Sequence, residues 1–159
     1  MVVYDSKVDQ FTADGLFEKV KGKPNIALIG FTTDGDVFGG FYGVAVTKQD
    51  EWFYDRTNFV FSFESHGRCK TPHRFVVKDR RHQCFGVYFW KNDNKGFVGF
   101  WVNRKFGFFL GNESSRSFCS GMSQGFEGLV DTTLSGEDIP YFSNGPYHLC
   151  TRLVAVQLS

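Results

Sequence analysis

The sequence predicts a mainly β protein, α+β at most, built as a β-sandwich of two antiparallel sheets with short flanking helices. Three observations carry this. The chain holds 20 Phe beside only 4 Pro and 2 Met, a heavy load of rigid rings with high strand preference. Apolar residues recur with a period of two through much of the sequence, so side chains alternate between two faces as on a pleated strand. Compact polar turns separate these runs, at Asp34-Gly35, Lys48 to Glu51, Asp55 to Asn58, Asp79 to Gln83, Asn92 to Lys95 and Asn103 to Lys105, and joints that short connect antiparallel neighbours.

Taken in order, the first element is the one segment that reads as a helix. DGLFEKVKG, residues 14 to 22, offers Asp14 as N-cap, Leu16, Phe17 and Val20 as an apolar face, and Gly22 as a stop. NIALIGF, residues 25 to 31, is apolar on both faces and suits a central strand. Asp34-Gly35 then turns the chain, and Val37 to Val46 returns beside it, with Gly39 and Gly40 marking a bulge or a close backbone approach. In NFVFSFES, residues 58 to 65, Phe59, Phe61 and Phe63 alternate with Val60, Ser62 and Glu64, the mark of a strand with one wetter face. CFGVYFWK (84 to 91), GFVGFWVN (96 to 103), KFGFFLG (105 to 111) and CTRLVAVQL (150 to 158) read similarly. Between Gly111 and Gly145 the chain turns rich in Gly and Ser, consistent with long surface loops and short strands.

At 159 residues the chain fits a single domain, 1–159. Lys plus Arg number 18 against 17 Asp plus Glu, so no charge bias advertises nucleic acid or membrane. No run of apolar residues is long enough to span a bilayer, and Asp5, Lys7 and Asp9 interrupt any signal-peptide pattern. The expectation is a soluble intracellular, cytoplasmic protein. Cys69, Cys84, Cys119 and Cys150 are widely spaced without a CxxC pair, so free thiols are expected.

TTDGDVFGGFYG, residues 32 to 43, raises the question of a phosphate loop. A P-loop needs a Lys after its last glycine and a helix to follow; here no Lys follows Gly40, and Phe41, Tyr42, Val44 and Val46 continue as strand formers. The segment reads as a hairpin instead.

GKPNIALIGFTTDGDVFGGFYGVAV, residues 22 to 46, resembles the TLDc domain family, whose signature pairs a K-x-N strand with a G-x-x-F-G-G-[YF] hairpin. Its signature positions here are Asn25, Gly35, Phe38, Gly39 and Gly40, with Phe61 and Phe63 in the phenylalanine-rich strand that follows. Residues 3 to 23 look like the family's opening strand and short helix. Later, where most members carry G-x-x-F-G-G-G-x-D-L, this chain has KFGFFLGNESSRSF. The resemblance implies a sandwich of two antiparallel sheets, a non-catalytic protein-interaction module linked to protection against oxidative damage, and the vacuolar proton-pumping ATPase as a partner. It implies no cofactor, and oligomeric state stays open.

His66, Cys69 and His73, with His82 and Cys84, lack the regular spacing of a zinc site. Cys69, between Arg68 and Lys70 and near His66 and His73, is the candidate redox thiol, because neighbouring cations favour the reactive thiolate. Lys78, Arg80, Arg81 and His82 with Trp90 and Trp101 only loosely match a nucleic-acid surface. Glu113, Glu127, Asp131, Glu137 and Asp138 read as solvated loop carboxylates, so no catalytic or metal set is nominated. Two functions result: an interaction module, or a thiol antioxidant or redox sensor using Cys69. Exposed aromatics leave carbohydrate binding as a third reading.

Overall fold

The computed structural model describes residues 1–78, 84–112, 119–129, 134, 138–139 and 149–159. Its elements run β1 (Val2–Asp5), α1 (Ala13–Val20), β2 (Ile26–Thr32), β3 (Val37–Tyr42), β4 (Trp52–Tyr54), β5 (Phe59–Glu64), β6 (His73–Val76), β7 (Phe85–Phe89), β8 (Val98–Val102), β9 (Phe106–Leu110), β10 (Cys119–Ser120), α2 (Met122–Gly125), β11 (Asp138–Ile139) and β12 (Cys150–Gln157). Two sheets form, in the orders β1-β12-β2-β3-β5-β6 and β11-β10-β9-β8-β7-β4. Neighbours are antiparallel except β10 and β11. The last strand, β12, is inserted between β1 and β2, so the two ends of the chain share one sheet.

The inner faces meet through rings. Phe38 meets Phe108 edge to face at 5.2 Å, and Tyr42 lies 5.9 Å from Phe89 and 6.3 Å from Phe100. α1 buries Ala13, Leu16, Phe17 and Val20 against one end of this core, with Phe17 5.6 Å from Phe89. Its N-cap is Thr12, not Asp14: the Thr12 hydroxyl accepts from Gly15 N–H at 3.0 Å, and Asp14 falls in the first turn. The Asp93 carboxylate also accepts from Ala13 N–H at 2.7 Å, tying the turn before β8 to the helix start.

The β2–β3 connection is one residue longer than a two-residue Asp34-Gly35 turn. Gly35 N–H donates to Thr32 O at 3.1 Å, Thr32 N–H donates to Asp36 O at 3.0 Å, and Gly35 sits at φ +85°. Thr33, Asp34 and Gly35 therefore form a three-residue loop whose glycine takes the left-handed position. Of the two readings for Gly39 and Gly40, close approach is the one observed. A Cβ on Gly39 would lie 1.8 Å from Leu28 O, and one on Gly40 would lie 2.6 Å from the Phe100 ring of the opposite sheet. The β3–β5 irregularity lies elsewhere: Val37 pairs with Glu64 and Phe38 with Ser62, leaving Phe63 as the extra residue of a bulge. Asn25 occupies the left-handed region at φ 58°, a conformation Asn tolerates better than most residues.

Three elements depart from the sequence reading. β4 forms between the turns at Lys48 to Glu51 and Asp55 to Asn58, in residues whose pattern assigns no element. β6 begins at the end of HGRCKTPHR, residues 66 to 74, which reads as an exposed polar loop, and α2 adds a second short helix. Each is short and gains its order from pairing or packing rather than from its own pattern: β4 lies on β7, β6 on β5, and α2 packs on β9. Among the described residues no helix is long and apolar enough to cross a membrane.

The Tyr42 hydroxyl is buried with no hydrogen-bond partner among the described residues, and burial holds its ionisation well above the usual tyrosine range. Tyr42→Phe keeps the ring and removes the unpaired group, so it is expected to raise unfolding free energy by about 1 kcal/mol in urea melts.

Candidate functional site

The wetter face of β5 proves to be the one carrying phenylalanines. Val60 and Ser62 are fully buried against the second sheet, while Phe59, Phe61 and Phe63 point outward and Phe63 is 50% exposed. As the extra residue of the bulge Phe63 pairs with no residue of β3, and its ring stands half exposed. Phe41 stacks on Phe59 at 4.9 Å and 19°, and Phe61 lies 4.9 Å from Phe63. Together with Ala27, Ile29, Val156 and Leu158 these rings line a groove of about 390 Å³ on the outer face of the first sheet, bounded by His73 and Arg74 of β6. The Arg74 guanidinium lies over the Phe59 ring at 5.5 Å. These side chains leave an apolar recess on that face, with Phe63 its most exposed ring.

The loop carrying Cys69 is organised around a buried carboxylate. Asp36, 1% exposed, accepts from Arg68 Nη2 and lies 2.9 Å from His66 Nδ1. Its own N–H donates to Thr32 Oγ1 at 3.1 Å. The Ser65 hydroxyl completes the loop, accepting from Cys69 N–H at 3.1 Å and donating to Cys69 O at 3.2 Å. Two of the cationic or ionisable neighbours that the sequence places beside Cys69 are thus engaged by Asp36. Cys69 itself is half-buried and packs against the core. Asp36 escaped the sequence reading because a charge inside a turn motif gives no sign of being buried.

The outer face of the second sheet carries Trp52, Tyr88, Trp90 and Trp101, which contact one another or Phe109 at ring distances of 5.0 to 6.4 Å. Arg104 covers Trp52 at 5.4 Å and donates from Nε to Tyr54 Oη at 3.0 Å. Phe109 is only 6% exposed here, so this face is largely filled by its own rings.

Among the described residues no three His, Cys, Asp or Glu side chains gather to hold a metal ion. The Asp79 to Gln83 turn, with Arg80, Arg81 and His82, and the carboxylates Glu113, Asp131 and Glu137 lie outside the described residues; Asp138 lies in β11, and Glu127 is exposed. Cys84 is exposed, whereas Cys119 and Cys150 are buried, and burial pushes the Cys150 thiol up to about 12. Thiol labelling at pH 8 is expected to modify Cys84 first, Cys69 more slowly, and Cys119 and Cys150 only on unfolding. Because the folded Cys150 holds its proton while the unfolded thiol loses it, stability should fall as pH rises from about 9 toward 12, read as a falling Tm.

Phe38 sits fully buried at the sandwich centre, Gly39 and Gly40 at close approaches, Asn25 and Gly35 at left-handed positions, and Phe61 and Phe63 in the groove. The model of the TLDc domain matches residues 1–128. The chain belongs to the TLDc domain family. No curated protein is similar enough to count as a match. TLDc proteins are associated with resistance to oxidative stress, and a protein-interaction role accords with the family. The TLDc match contains every groove residue except Val156 and Leu158, which come from the last strand and the residue after it.

Proposed function

We propose that this chain is a non-catalytic TLDc protein-interaction domain serving oxidative-stress protection in the cytoplasm, with the vacuolar proton-pumping ATPase as its partner. The observation that supports this reading is the phenylalanine groove. A sheet whose outer face presents Phe41, Phe59, Phe61 and Phe63 with half of Phe63 in water leaves apolar area that association would bury. Phe63, already half buried, would contribute roughly 1 kcal/mol on full burial and Phe61, 6% exposed, would add little, so Phe63 is the ring on which association depends most.

Affinity capture with the full chain tests the proposal. The wild type should retain proton-pump subunits from a cell extract, and Phe63→Asp, a change at a half-exposed position, should lose them while its melting curve stays unchanged. Retention of the same subunits by Phe63→Asp would remove the groove from the account. The second reading, a redox thiol at Cys69, rests on that residue's partial exposure at a loop. It predicts slower peroxide consumption by Cys69→Ser than by the wild type, and equal rates would end it.

A further inference from the structure

We infer that the segment filling the groove is an amphipathic helix of about three turns, with large aliphatic side chains on one stripe and a carboxylate near the end that meets Arg74. This deepens the interaction reading and rests on it. The groove crosses the first sheet from Val156 of β12, over β2, β3 and β5, to Arg74 of β6. Four strand spacings amount to about 19 Å, the length of a helix of roughly 12 residues. The groove is open along its outer side, which suits a partner that is apolar on one stripe and wet on the other; an acyl chain there would keep much of its length in water.

Charge fixes the polarity of the partner. Among the described residues lining the groove there is one permanent cation, Arg74, and no carboxylate. Arg74 makes no ion pair with a described residue, and its guanidinium is held at the groove by the Phe59 ring. The other outer-face arginine, Arg152, is already occupied by Asp5, at 3.0 Å from Nε and 2.6 Å from Nη2. An acidic side chain at the β6 end therefore finds a waiting partner, whereas a basic one meets only Arg74 and His73.

The test uses the full chain and a phage-displayed library of helical peptides of about 14 residues, followed by fluorescence anisotropy on the selected sequences. The wild type should select peptides with Leu, Ile or Met at helical spacing and Asp or Glu near one end. Arg74→Glu should weaken them by about tenfold or more, and a peptide with Lys in place of its acid should recover affinity for Arg74→Glu. Peptides that depend on Phe63 yet show no acidic preference and ignore Arg74→Glu would overturn the inference while leaving the interaction reading intact. Absence of any peptide lost on Phe63→Asp would overturn both. A dimer in sedimentation that dissociates on Phe63→Asp, or saturable oleate binding that excludes the peptides, would assign the groove to a second copy or a lipid and overturn the inference as well.

Discussion

Gly39→Val should lower the unfolding free energy by at least about 3 kcal/mol, or roughly 10 °C in Tm for a chain of this size. The added Cβ would lie 1.8 Å from Leu28 O and 2.9 Å from Phe61 Cζ. The first contact is with the backbone of the paired strand, which cannot swing aside as a side chain can, so β2 and β3 must separate locally. Gly40→Val acts by another route: its Cβ meets the Phe100 ring at 2.6 Å and pushes on the opposite sheet. Thermal melts of both variants check this. A Gly39→Val protein of wild-type stability that fails to bind a partner would overturn the account and return function to the hairpin itself.

Asp36→Ala is the second large effect expected, about 2–3 kcal/mol of destabilisation. Removing one member of a buried ion pair typically costs about 3–5 kcal/mol. Here the loss is smaller because the Arg68 and His66 side chains are 28% and 51% exposed and can recover water. The consequence extends to Cys69. With Asp36 gone, the loop from Ser65 to Cys69 loses its tie to the β2–β3 hairpin, so Cys69 labelling should accelerate by about tenfold while Cys84 labelling is unchanged. Asp36→Asn, which keeps an oxygen acceptor for Arg68, should fall between Asp36→Ala and wild type. Equal labelling of Cys69 in all three proteins would show that the carboxylate does not hold the loop.

The central strands were legible because they are long and their apolar periodicity is unambiguous. β3, β5, β7, β8, β9 and β12 fall within the segments read as strands, β2 runs one residue past its segment to Thr32, and α1 lies within one turn of its predicted start. The hairpin signature was legible for a different reason: Gly35, Gly39 and Gly40 report conformations and close approaches that few other residues permit. β4, β6 and α2 were not legible, since short segments take their state from the neighbours they pair with or pack on.

The sequence by itself determined a mainly β chain of two antiparallel sheets and a TLDc hairpin, because period, turn chemistry and glycine placement are local properties. Only the tertiary structure decided which face of each strand is inside. Alternation in β5 separates Phe59, Phe61 and Phe63 from Val60 and Ser62 but cannot say which set meets the second sheet. Packing decides it: the inner space is filled by rings such as Phe38, Phe100 and Phe108, so small Ser62 turns inward and the phenylalanines turn out. The groove, the placement of Arg74 beside it and the burial of Asp36 all follow from contacts between residues far apart in the chain, which no local pattern encodes.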